Sequence, residues 1–171
     1  SKTLPRYREP SLLIDRINQD DCLRRFNLDV SKPVLGICPG AEFGDAKRWP
    51  EEKFAGVAKE VIESGMQVWL FGSARDRVIT NKICKILPSS YEKDCTNLAG
   101  RTTLLDVVDL INLCGQVISN DSGLMHVASA VGCKIVVVYG STSPKFTPPL
   151  TTNPIVVRKS IQCSPVSYTH L

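Results

Sequence analysis

From residue 34 onward, short apolar runs alternate with longer stretches in which apolar positions recur at helical spacing. Val34-Leu35-Gly36-Ile37-Cys38, Gln67-Val68-Trp69-Leu70-Phe71, Gln116–Ser119 and Lys134–Tyr139 read as strands. Between and after them, Glu51 to Ser64, Ala74 to Leu87, Thr103 to Cys114 and Ser122 to Val131 read as helices. Pro50 opens the first helix and Gly65 stops it, Pro88 terminates the second, and Gly132 closes the last. Asn97-Leu98-Ala99-Gly100-Arg101 reads as a loop. Strands that are continuous apolar runs must be covered on both faces, which predicts a Rossmann-like α/β fold: a parallel sheet with helices on either side.

Before this alternation, residues 1–32 are polar and charged, with Pro5 and Pro10 near the start. They read as an inter-domain linker or leading segment, in which Leu12-Leu13-Ile14 and Leu23, Phe26 and Leu28 can pack short helical pieces against a neighbour. The expected organisation is therefore a leading segment over 1–32, one domain over 33–165, and a tail over 166–171.

The 171 residues are enough for one α/β domain with its own core. A formal net charge of +4 is mild and scattered, without the clustered Lys and Arg of a nucleic-acid arm. No apolar run approaches the roughly 20 residues of a membrane span. The seven cysteines include no C-x-x-C pair and their number is odd, which predicts reduced thiols and a cytoplasmic location rather than a disulfide framework. Only His126 and His170 are present, which argues against a His-rich metal site.

The candidate chemistry lies in the polar turns at the carboxyl ends of the strands, where open parallel sheets bind ligands. In Ser119-Asn120-Asp121-Ser122-Gly123-Leu124-Met125-His126, a strand-to-helix turn offers unpaired N–H groups and a positive dipole end, a site suited to phosphate. Asp121 can hold hydroxyls; equally, Asp121 or Ser122 can cap the helix. His126, four residues after Ser122, shares its helix face, and a lone His there is more often structural than catalytic.

The turn from Pro39 to Pro50 holds Gly40 and Gly44 for close backbone approach, and Lys47 and Arg48 as cations; as a sequence pattern it is also an ordinary surface loop. It is neither a Walker motif nor G-x-G-x-x-G. Asp76, in Gly72-Ser73-Ala74-Arg75-Asp76, stands where a ribose diol would be gripped, although the residues alone favour a first-turn carboxylate set against the helix dipole. Thr102 or Thr103 caps the next helix and can wall a base pocket.

These motifs resemble those of the ADP-heptose:lipopolysaccharide heptosyltransferases, glycosyltransferase family 9. The resemblance is carried by Pro39-Gly40-Ala41-Glu42-Phe43-Gly44, Lys47-Arg48-Trp49-Pro50, Asn120-Asp121-Ser122-Gly123-Leu124-Met125-His126, Tyr139-Gly140 with Ser143-Pro144, and Phe146-Thr147-Pro148-Pro149-Leu150. It implies the C-terminal half of a GT-B glycosyltransferase, binding the donor ADP-L-glycero-D-manno-heptose. The lipopolysaccharide inner-core acceptor would bind an N-terminal domain that this chain lacks, together with its general base.

The transfer implied is inverting and metal-independent, with no cofactor. Lys47 would stabilise the leaving diphosphate, assisted by the Gly123 and Leu124 N–H groups. Asp121 would orient the heptose hydroxyls, Asp76 would bind the ribose, and Thr102 or Thr103 would lie near the adenine. Gly40, Ala41, Phe43, Gly44, Ser122 and His126 fall on matched positions of the donor site. Peripheral contact with the cytoplasmic face of the inner membrane is part of the same implication, and nucleic acid is not a partner. The turn Ala41-Glu42-Phe43-Gly44 and Asn120-Asp121 favour the branch that adds the second heptose. Other family 9 heptosyltransferases and a non-catalytic nucleotide-binding module are the alternatives. The chain alone is expected to bind donor without turnover.

Overall fold

In the computed structural model, residues 9–41, 48–151 and 153–158 are described. In chain order, the elements are α1 (Arg16–Phe26), β1 (Val34–Cys38), α2 (Glu51–Glu63), β2 (Gln67–Leu70), α3 (Arg77–Ile86), β3 (Cys95–Asn97), α4 (Leu104–Ile111), β4 (Gln116–Asn120), α5 (Gly123–Ala130), β5 (Ile135–Tyr139) and β6 (Ile155–Arg158). The six strands form one sheet in the order β3-β2-β1-β4-β5-β6, and every neighbouring pair is parallel. The predicted parallel α/β sheet is therefore observed.

The core forms two layers because successive strand residues point to opposite faces. Leu35 and Ile37 of β1, with Val68 and Leu70 of β2, pack under α2 and α3 against Phe54, Ala55, Ala58 and Ile83. Trp69 and Phe71 face the other way, onto a layer with Leu110, Ile111, Val117, Met125 and Val137. Gly36 belongs to that second face, where a Cβ would lie 3.0 Å from Val117 Cγ2 and 3.2 Å from Cys114 Sγ. Its missing side chain lets the β1–β4 pair pack closely beneath the helices.

Helix signals read from the sequence act close to where they were expected. Pro50 precedes the first turn of α2, and Gly65 follows its C-cap at φ +88°, a left-handed conformation that glycine adopts without strain. Thr103 caps α4 in a full capping box: its hydroxyl accepts from Asp106 N–H at 3.2 Å, while the Asp106 carboxylate accepts from Thr103 N–H at 2.8 Å.

Three elements go beyond the sequence pattern. Cys95–Asn97, partly read as loop, is a short strand paired with β2. Ile155–Arg158 adds an edge strand beyond β5. Within the leading segment, Arg16–Phe26 is one continuous helix.

That helix docks through Cys22, Leu23 and Phe26, which pack on the second core layer, and through a set of polar contacts. Asp15 caps it and donates its own N–H to Asp109 Oδ1 at 2.9 Å; Asn18 Nδ2 donates to Asp109 Oδ2 at 2.7 Å, and Gln19 Nε2 to the Asp109 carbonyl at 2.7 Å. A turn further on, Arg25 and the Cys22 thiol both donate to Asp106 Oδ1, at 2.7 and 3.2 Å. Burial alone would raise the Asp106 pKa. The Thr103 N–H, the Arg25 guanidinium and the Cys22 thiol outweigh it and hold this carboxyl well below the usual carboxylate range.

Candidate functional site

With β1 at the centre, the chain proceeds outward through β2 to β3 and then returns to place β4 on the other side of β1. The order reverses between β1 and β4, and at such a switch point the loops leaving the carboxyl ends diverge and open a crevice. A cleft of about 580 Å³ lies there. The residues following β1 contribute Gly40 and Ala41; those following β2 contribute Gly72, Ser73, Arg75 and Asp76. Thr102, Thr103 and Leu104 come from the start of α4, and Ser122, Gly123 and Leu124 from the start of α5. Cys38, Val107 and Val127 complete an apolar wall.

Asp76 is fixed by its surroundings. Its Oδ2 accepts from both the N–H and the hydroxyl of Ser73, each at 2.7 Å, closing the turn that leads into α3. The carboxylate sits at the N-cap position, one residue ahead of the first turn where the sequence pattern put it; it makes no capping bond into α3 and lines the cleft. Two glycines make room for it. A Cβ on Gly40 would lie 2.5 Å from Asp76 Oδ1, and one on Gly72 would lie 2.7 Å from Asp76 Cβ. Gly40 thus serves a side chain as well as any ligand.

At α5 the expected cap takes a different form. Ser122 occupies the N-cap position in extended conformation, but its side chain makes no capping bond; its hydroxyl lies 3.3 Å from that of Ser119. Among the described residues, nothing accepts from the N–H groups of Gly123 or Leu124. Space beside Gly123 is open to at least 4 Å around a hypothetical Cβ. An uncapped, positively polarised helix end therefore faces the cleft.

Other predicted residues are placed differently. Asp121 is 7% exposed and lies outside the cleft lining, its Oδ2 accepting from the Thr147 hydroxyl at 3.0 Å. Nearby, burial and then the Asp121 charge push the Tyr139 phenol up to about 12. His126 is half-buried on α5, likewise outside the lining, and its Nδ1 is buried without a partner among the described residues. Thr102 donates its hydroxyl to the Leu98 carbonyl at 3.3 Å, whereas Thr103 is the cap. Lys47, Phe43 and Gly44 lie outside the described residues.

Two residues to which the sequence reading gave no role in the site stand out. Arg75 is the only cation among the described residues lining the cleft. Asn120, fully buried at the end of β4, donates its amide to the Pro39 carbonyl at 2.8 Å and accepts from Trp49 N–H at 3.0 Å. One side chain thus ties both flanks of the glycine- and lysine-containing segment to the strand that leads to Asp121. A buried amide at a strand's carboxyl end was the available sequence signal.

The fold and the cleft define an α/β domain with an open crevice at the switch point of its parallel sheet. The chain belongs to glycosyltransferase family 9, the heptosyltransferases, whose family profile matches residues 5–169. Among its relatives, the lipooligosaccharide heptosyltransferase 2 of Haemophilus influenzae is 43% identical over 88% of this chain, and the lipopolysaccharide heptosyltransferase 2 of Escherichia coli 45% identical over 87%. The solved structure of E. coli ADP-heptose lipopolysaccharide heptosyltransferase II superposes with a TM-score of 0.85 at 43% identity, covering 91% of this chain and 47% of that one. The chain corresponds to half of a GT-B heptosyltransferase structure and spans 44% and 43% of the two curated relatives' lengths. Among the described residues, no helix is long and apolar enough to cross a membrane.

Proposed function

We propose that this chain is the donor-binding half of a heptosyltransferase that transfers heptose from ADP-L-glycero-D-manno-heptose to the lipopolysaccharide inner core, adding the second heptose. The observation that carries the reading is the uncapped start of α5, where the Gly123 and Leu124 N–H groups face a cleft that also holds Asp76. A diphosphate bound there accepts from those donors and meets the positive end of the helix dipole. Arg75 adds a cation at the same cleft. Asp76 accepts the ribose hydroxyls through Oδ1, since Ser73 occupies Oδ2. Leu104, Val107 and Val127 provide an apolar surface for the adenine beside Thr102 and Thr103.

In this reading the acceptor hydroxyl attacks the anomeric carbon, the bond to the diphosphate breaks, and negative charge grows on the departing ADP. Donors already aimed at that charge lower the barrier without reorganising. Lys47 assists the departure, Asp121 orients heptose hydroxyls, and the general base and acceptor site belong to the other half of the transferase. No metal or cofactor is needed.

Calorimetric titration of the folded chain with ADP, UDP and GDP tests the reading. Selective ADP binding that weakens in Asp76→Ala supports it. A chain shown to be folded by circular dichroism that binds none of the three, or all alike, refutes the donor site in this half.

A further inference from the structure

Toward the C-terminal end of α3, a second recess of about 520 Å³ is lined by Asn81, Cys84, Lys85, Tyr91, Cys95 and Asn97 among others. Cys84 lies on α3 and Cys95 on β3. Residues 81 and 84 are one helical turn apart and share a face, while residues 95 and 97 share a face of the strand. The structure brings these positions together. Asn97 Nδ2 donates to Asn81 Oδ1 at 2.9 Å, and one turn along the helix and two residues back along the strand Cys84 and Cys95 line the same recess.

The other described cysteines differ. Cys22, Cys38, Cys114 and Cys133 are all buried, and burial pushes their thiols up. Cys84 and Cys95 are half-buried at the recess rim. The neighbouring Cys95 thiol lowers the Cys84 pKa, and the pairing raises that of Cys95.

We infer that Cys84 and Cys95 form a reactive dithiol, a modification site that hydrogen peroxide closes to a disulfide between α3 and β3 and that a trivalent arsenical bridges. In the first step the Cys84 thiolate attacks hydrogen peroxide, forming the S–O bond of a sulfenic acid and releasing hydroxide, which takes up the proton the Cys84 thiol had lost and becomes water. In the second, the Cys95 sulfur attacks Cys84, the S–O bond breaks, and the sulfenic oxygen leaves as water with the Cys95 proton. The two thiols are oxidised together and one peroxide is reduced to two waters. The site is independent of the nucleotide reading, since none of its residues lines that cleft.

The test is stoichiometric hydrogen peroxide on the native chain, followed by alkylation and peptide mapping, with phenylarsine oxide as a second probe. The expected product is one cross-link, Cys84 to Cys95, with the buried cysteines still reduced and alkylated only after denaturation. In Cys95→Ser, dimedone captures a sulfenic acid at Cys84. In Cys84→Ser, neither the cross-link nor tight arsenical binding survives. Should a variant fail to fold, the wild-type map decides alone. A dominant cross-link between other cysteines, or Cys84 and Cys95 both remaining alkylatable after the peroxide is consumed, overturns the inference.

Discussion

Replacing Asn120 tests how the sheet edge holds the segment that precedes α2. The side chain is fully buried and makes two hydrogen bonds, to the Pro39 carbonyl at 2.8 Å and from Trp49 N–H at 3.0 Å. In Asn120→Ala both are lost, at a net cost of about 1 kcal/mol each. The buried Pro39 carbonyl is then left without a partner, adding roughly 1–2 kcal/mol. The total is about 3 kcal/mol, and with a urea m-value of about 2 kcal/mol/M for a domain of this size the midpoint falls by roughly 1.5 M.

Asn120→Asp separates the geometric account from a simple volume effect. The carboxylate still accepts from Trp49 but presents a negative oxygen to the Pro39 carbonyl. At neutral pH this nearly isosteric change should cost at least as much as Asn120→Ala. As pH falls and the carboxyl protonates, its O–H can donate to Pro39, so the deficit relative to wild type should shrink. Urea unfolding followed by circular dichroism at pH 7.5 and pH 5 reads both effects. A midpoint within about 0.3 M of wild type for either variant at pH 7.5 refutes the clamp.

Other outcomes follow from the same geometry. Gly40→Ala puts a Cβ 2.5 Å from Asp76 Oδ1 and drives that carboxylate off its Ser73 donors, so calorimetry should show ADP affinity falling about tenfold, equivalent to about 1.4 kcal/mol. Wild-type affinity would show that the Asp76 placement is irrelevant to the nucleotide. Arg75→Ala should weaken ADP by roughly 3- to 10-fold at low salt, less at high salt, and leave adenosine unchanged; equal losses for ADP and adenosine would place Arg75 away from the phosphates.

Asp106 has a native pKa held well below its unfolded value of about 4, so the native state binds fewer protons and acid favours unfolding. Its contribution is complete above that unfolded value and fades as pH falls through and below it. Melting temperature plotted against pH should therefore decline less steeply below about pH 4 in Asp106→Asn than in wild type; parallel curves would contradict the depressed carboxyl.

Much of the sheet was legible in the chain. β1, β2, β4 and β5 are apolar runs buried on both faces, and that composition is itself the signature of a parallel strand between helices. β3 was not legible in full, because Cys95-Thr96-Asn97 is short, half-exposed and without an apolar run. It is a strand because β2 offers it a free edge to pair with. α1 was legible in part: Leu23, Phe26 and Leu28 pack against the core as their apolar character suggested, while the polar anchoring of the helix on Asp106 and Asp109, two carboxylates of another helix, left no pattern to read.

The candidate site divides in the same way. Gly40, Asp76, Thr102, Thr103, Ser122 and Gly123 were named from turn chemistry, Ala41 and Leu124 from the family resemblance, and all eight line one cleft. Turn positions are local, and a parallel sheet sends every strand's carboxyl end to the same edge. The sequence by itself therefore determined the order of strands and helices, the breakers that end them, and the edge on which a ligand would sit.

Only the tertiary structure decided which distant residues touch. It set Asp76 against Gly40, tied Asn120 to both Pro39 and Trp49, brought Cys84 and Cys95 to one recess, and placed Asp121 outside the cleft lining with Thr147. Those contacts follow from the strand order β3-β2-β1-β4-β5-β6, which puts residues remote along the chain side by side. Local periodicity carries information about neighbours in sequence, whereas burial and hydrogen bonding between separate elements depend on how those elements are arranged in space.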